Sequence, residues 1–144
     1  MPEPLPVTVL LADLDAQWNG SNVTEPAFIE VNKANEPLRF NLNTGDQVIG
    51  RSGSPAFDEA PIGNWKYGNR TYNIELELFT NNSRQRLYDL MAEIRRLCHS
   101  RMHSLTNFQR QEFMSFNEEQ SEQIDIWTGT VDIQLVNNAV LLET

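Results

Sequence analysis

The sequence predicts an α+β fold: a mostly antiparallel sheet with one long amphipathic helix, at about 83–103, packed on one face and a short N-terminal helix beside it. Two patterns carry this expectation. Over residues 72–79, Tyr72, Ile74, Leu76 and Leu78 alternate with Asn73, Glu75 and Glu77, the signature of a strand buried on one side. From Leu87 onward, Leu87, Leu90, Met91, Ile94, Leu97, Cys98, Met102 and Leu105 recur at spacings of three and four, which gathers them on one helix face. Size is a third constraint. A chain of 144 residues suits a single domain, 1–144, and can bury on the order of 68–70% of its unfolded surface with no metal or disulfide.

Taken in order, the chain opens with Pro2, Pro4 and Pro6, after which Val7, Leu10, Leu11, Leu14 and Trp18 follow helical spacing. Asn19-Gly20 can close that helix. Residues 27–32 and 38–43 read as strands, the second because Leu38, Phe40 and Leu42 alternate with Arg39, Asn41 and Asn43; residues 33–37 then form a hairpin connection. Residues 44–64 hold Gly45, Gly50, Gly53, Gly63, Pro55 and Pro61 with no sustained period, so they read as a long loop that orders against a partner. Residues 80–83 offer helix N-caps, and Arg86–Asp89 and Glu93–Arg96 are spaced to pair on the polar side of the long helix. Residues 106–123 are polar, anchored by Phe108, Phe113 and Phe116. The last strand spans 124–136, and its apolar phase slips from Ile124 and Ile126 to Val131, Ile133 and Leu135, which suggests a bulge at Gly129. The pattern nominates Leu87, Leu90, Ile94, Leu97, Ile74, Leu76, Val131 and Ile133 as core.

Charge is partitioned along the chain. The net charge is −9, yet residues 84–110 carry Arg84, Arg86, Arg95, Arg96, Arg101 and Arg110 against only Asp89 and Glu93. Residues 111–144 carry seven acids and no base. A basic island in an acidic chain is either a solvated helix face or a surface that meets acids elsewhere. The acidic total argues against general coating of nucleic acid.

Catalytic and metal chemistry find no support. His99 and His103 stand four apart on the long helix, a spacing that can present two imidazoles to one metal, but no Glu follows His99 and no third ligand suggests itself. Glu75 and Glu77 share a strand face with no neighbouring lysine, and no Gly-x-Ser-x-Gly elbow occurs. Gly50-Arg51-Ser52-Gly53-Ser54 lacks the Gly-Lys-Ser/Thr of a phosphate loop. No enzyme activity, metal or cofactor is expected. The triplets at Asn22, Asn69 and Asn81 fit chance in an Asn-rich chain. The single cysteine, Cys98, fits assembly in a reducing compartment. The longest apolar runs are four residues, far from the roughly 20 a membrane span needs. The start of the chain lacks the basic region of a signal peptide.

The order and polarity of elements resemble the tail terminator (tail completion) proteins of tailed bacterial and archaeal viruses. The residues that carry this likeness are Tyr72 to Thr80, then Ser83-Arg84-Gln85-Arg86-Leu87 through Glu93-Ile94-Arg95-Arg96-Leu97, then Trp127 to Val136. The resemblance implies a non-enzymatic virion subunit of the tail or neck, assembled in the host cytoplasm. Such a subunit forms a homo-oligomeric ring, typically a hexamer, that caps the tail tube and joins the neck or connector. Genomic DNA passes through without specific binding. In such a ring, Arg86, Arg95, Arg96 and Arg101 of one copy would meet Glu118, Glu119, Glu122 and Asp125 of the next. The competing reading is a nucleic-acid-binding accessory protein that uses the arginines of 84–101 on phosphates.

Overall fold

The computed structural model describes residues 5–31, 46–63, 66–119 and 126–141. Among them the elements run α1 (Pro6–Gln17), β1 (Ala27–Glu30), β2 (Gln47–Ile62), β3 (Tyr67–Thr80), α2 (Arg84–Ser100), β4 (Arg110–Glu119) and β5 (Trp127–Leu141). The strands form one sheet in the order β1-β2-β3-β5-β4. The alternation read at 72–79 lies in β3, the central strand. Tyr72, Ile74, Leu76, Leu78 and Thr80 are buried on one side, while Asn73, Glu75 and Glu77 stay half-buried on the other.

The expected fold class needs correction. The sheet is mixed, because β1 pairs with β2 in parallel, from Ala27 opposite Gln47 to Glu30 opposite Gly50. The other pairings are antiparallel. Strand, not helix, dominates. Both helices are short, 12 residues in α1 and 17 in α2, so there is no single long helix over 83–103. Ser83 is the N-cap of α2, its side chain accepting from the Arg86 N–H at 3.1 Å, and the helix ends at Ser100. Leu105 is buried from the turn beyond that end, so its agreement with the helical spacing reflects core contact and not helix.

Residues 44–64 are also not a loop. They hold β2, whose register with β3 runs from Gln47 opposite Phe79 to Ile62 opposite Tyr67, interrupted between Ser52 and Phe57. From Ser54 to Ile62 every residue is exposed, so neither face carries the alternation by which a strand is recognised. Backbone pairing to β3 makes it a strand. The polar 106–123 segment likewise contains β4, in which a register shift at Met114 turns both Phe113 and Phe116 toward the same side. The strand expected at 38–43 and the hairpin at 33–37 lie outside the described residues.

Gly129 plays a different part from the one expected. β5 passes it without a register break, with Gly129 opposite both Leu78 and Glu118. A Cβ at this position would lie 2.5 Å from Phe116 Cε1, so the glycine makes room for the Phe116 ring. Gly50 serves β2 in the same way, where a Cβ would come within 2.9 Å of Leu11 on α1. The core gathers Val7, Leu10, Leu11 and Leu14 of α1 and Leu87, Leu90, Ile94 and Leu97 of α2. With them are Ile74, Leu76 and Leu78 of β3 and Val131, Ile133 and Leu135 of β5.

Two substitutions test this packing. Ile94→Ala empties a fully buried position and should cost about 2–5 kcal/mol in chemical denaturation. Gly129→Ala should cost about 1–3 kcal/mol by overpacking against Phe116. Combined with Phe116→Leu, its cost should fall short of the sum of the two single costs, as contacting residues require. An unchanged midpoint for Gly129→Ala would mean that the ring does not occupy that space.

Candidate assembly surface

Three arginines of α2 and its flanking turns, Arg84, Arg86 and Arg101, are tied to carboxylates that the sequence holds far away. Arg86 Nε donates to Asp46 Oδ2 at 2.6 Å, and its guanidinium also reaches the Thr24 carbonyl. Asp46 in turn accepts from the Thr80 hydroxyl at 2.5 Å and, through its carbonyl, from the Ala27 N–H. This cluster joins β1, β2, β3 and α2 at one corner. Arg101 forks onto Asp13 of α1 at 2.7–3.2 Å. Arg84 spans both oxygens of Glu118 at 2.7 and 2.9 Å, and the Tyr88 hydroxyl donates to the same carboxylate at 2.8 Å. Arg110 pairs with Glu112 at 2.5 Å.

Glu93 is the most deeply placed of these acids, its side chain 2% exposed. It accepts from Arg96 at 2.5 and 2.8 Å and from the Asn19 N–H at 3.1 Å, so it fastens the segment after α1 to α2. The Arg96 guanidinium, helped by the Asn19 N–H, holds the Glu93 carboxyl below its ordinary value against the opposing effect of burial. Glu118 is held low by Arg84 and Tyr88 in the same way.

Most of the described residues expected at inter-subunit contacts hold partners within the chain. Arg86, Arg96 and Arg101 are engaged within the chain, as is Glu118, and Glu119 accepts from Thr130. Glu122 and Asp125 lie outside the described residues. Arg95 alone of the island is exposed with no carboxylate partner among the described residues. The acids that neutralise the island include Asp13 and Asp46, which sequence reasoning missed because nothing in linear order marks them as neighbours of α2.

Among the described residues no helix lies on the sheet face opposite α2. Along it, Arg51, Glu75, Asp132 and Ser115 fall in one register row across β2, β3, β5 and β4, with Glu77, Thr130 and Asn117 in the next. Arg51 pairs with Glu77 at 2.6 Å. Burial pushes the Glu77 carboxyl above its ordinary value, partly offset by Arg51. A trough of about 580 Å³ crosses this face, floored by Asn73, Glu75, Asp132 and Gln134 and walled by Pro55 and Met114. Asn73 Nδ2 holds its β2 rim by donating to the Pro55 carbonyl at 2.9 Å. Phe57, Ile62, Tyr67 and Met114 are large apolar side chains left 42–50% exposed.

The residues weighed for metal or thiol chemistry are unremarkable. His99 is exposed, and His103 Nδ1 lies 3.2 Å from the Gln109 carbonyl. Among the described residues no cluster of three His, Cys, Asp or Glu side chains is placed to hold a metal. Burial pushes the Cys98 thiol up to about 12. Among the described residues no helix is long and apolar enough to cross a membrane.

With this geometry in hand, the chain is similar in fold to a protein of the solved virion of a native gene transfer agent (GTA) particle. The TM-score is 0.62 at 12% sequence identity, and the match covers 93% of this chain and 95% of that one. At such identity the likeness is one of fold. No protein-family model matches the sequence, and no curated protein matches it.

The Glu93 pair gives a pH dependence with a definite sign. A carboxyl whose folded pKa is depressed contributes stability above its unfolded pKa, near 4.5, and loses it as pH falls through the folded value. Glu93→Gln should lower stability at pH 7 by about 1.5–3 kcal/mol, the range for hydrogen bonds to charged groups. The gap between wild type and variant should close on acidification below pH 4.5. Urea midpoints measured from pH 7 to pH 3 check this, and a gap that widens in acid would contradict it.

Proposed function

We propose that the chain is a structural subunit of a phage-like virion, and within it a tail terminator or head–tail joining protein. In this reading copies of the chain close into a ring, a hexamer, that caps the tail tube and meets the neck. The observation that carries the proposal is the full-length fold likeness to a GTA virion protein, 93% of one chain on 95% of the other. A shared module inside otherwise different proteins would leave one of the two largely uncovered. The element order that resembles tail terminators, read from the sequence independently, supports the same class. The protein works by assembly and not by catalysis, in the virion and not at a membrane.

The nucleic-acid-binding alternative is weakened by the ion pairs. A phosphate contact needs an arginine free to leave its present partner, and Arg84, Arg86, Arg96 and Arg101 each already hold a carboxylate. A ring with such a neutralised island, on a chain of net charge −9, lets DNA pass without holding it.

Native mass spectrometry of the purified chain, with and without duplex DNA in low salt, tests the proposal. A closed oligomer whose mass ignores DNA is the expected result. A monomer or dimer that shifts onto DNA, and releases it as salt rises, would support the alternative instead.

A further inference from the structure

We propose that in the assembled ring Arg95 of one copy seats in the trough on the sheet face opposite α2 of the next copy, between the Glu75 and Asp132 carboxylates; the proposal rests on the ring reading above. Arg95 is the first of three observations. The five other arginines of residues 84–110 are matched to Glu118, Asp46, Glu93, Asp13 and Glu112. Arg95 is exposed on α2 and has no such partner among the described residues. Its neighbours on the outer helix face at i−3 and i+4 are Ala92 and His99, neither of which carries negative charge to oppose an acidic surface.

The second observation is the charge of the trough. Glu75 stands directly opposite Asp132 in the β3–β5 register. Like charges placed opposite each other across two strands destabilise a sheet. No ion pair among the described residues holds either acid: Arg51, opposite Glu75 in the β2–β3 register, pairs with Glu77 at 2.6 Å, and Asp132 accepts the Ser115 hydroxyl at 3.0 Å. Among the described residues, Arg95 thus lacks a carboxylate and the Glu75–Asp132 pair lacks an ion-paired cation.

Shape is the third. The β2 irregularity between Ser52 and Phe57 and the β4 shift at Met114 raise two rims on either side of the acids. Pro55 and Met114, the latter 50% exposed, give these rims apolar walls against which an arginine stem can lie. The floor offers carboxylate oxygens to the guanidinium fork. The trough lies on the sheet face opposite the one α2 helps to bury, so the contact joins two different surfaces of the subunit. Such a heterologous contact repeats head to tail, the arrangement from which a closed ring is built when the rotation between copies closes.

Charge exchange tests this contact. Arg95→Glu should raise the concentration at which the ring half-assembles by about tenfold or more, the scale measured for close charge pairs across interfaces. Glu75→Arg with Asp132→Asn should do the same, and the combined variant should assemble near wild-type concentrations. Circular dichroism should show all of them folded. Arg95 is exposed, so its reversal leaves the core untouched and decides the matter even if the trough variant fails to fold. A wild-type ring that Arg95→Glu leaves intact overturns the contact and spares the ring. Assembly blocked by the trough variant but not by Arg95→Glu also overturns it, since the trough then receives something else. A wild-type chain that stays monomeric at every concentration overturns the ring reading and this contact with it.

Discussion

Burial of one face of β3 is the constraint on which the other features depend. Ile74, Leu76 and Leu78 are 2% exposed or less, and β3 is hydrogen-bonded on both edges, to β2 and to β5. A strand in that position must present the same face as its neighbours, so Val48 of β2 and Val131, Ile133 and Leu135 of β5 are drawn to the same side. The helices then have one place to put their apolar stripes. Gly50 and Gly129 mark how closely matter is packed there: each stands where a single added methyl would collide with a side chain. The opposite face is left to half-buried polar and charged residues, and among the described residues no helix covers it.

Electrostatics act on top of this packing by fixing how the pieces are held. The pairs Arg84–Glu118, Arg86–Asp46 and Arg101–Asp13 join residues 34 to 88 positions apart. Two of them are largely shielded, with side-chain exposures of 14% and 15% for Arg86–Asp46 and 27% and 13% for Arg101–Asp13. Forked arginine–carboxylate contacts carry geometric demands that a hydrophobic contact lacks, so they specify where α1 and α2 sit as much as they stabilise them. Arg84–Glu118, with Arg84 68% exposed, belongs to the weaker, solvent-screened kind.

What was legible in the sequence follows from which elements have one wet side. β3 and α2 each bury one face and expose the other, so alternation at 72–79 and the three-and-four spacing from Leu87 marked them. α1 was visible for the same reason through Val7, Leu10, Leu11 and Leu14. The distal half of β2 exposes both faces and contains two prolines, so it looked like a loop. In β4 the shift at Met114 puts Phe113 and Phe116, three apart, on one side and erases the period of two. The parallel pairing of β1 depends on non-local contacts and left no local mark. The charge blocks were legible as blocks. Of their pairing, Glu93–Arg96 was legible from its spacing of three on α2, whereas Arg86 and Arg101 hold Asp46 and Asp13, which nothing in linear order marks as neighbours.

The arginines of 84–110 are mostly paired within the chain, among the described residues no helix covers the second sheet face, and the fold is similar over 93% of the chain to that of a virion protein. In the role proposed for it, the chain acts by holding a shape that other proteins can stack upon. Electron cryo-microscopy of the purified full-length chain at assembling concentrations tests that claim most directly. End-on class averages should show closed rings of one size with an open centre and six-fold symmetry. Particles of single-subunit size at every concentration, or open filaments of indefinite length, would contradict it.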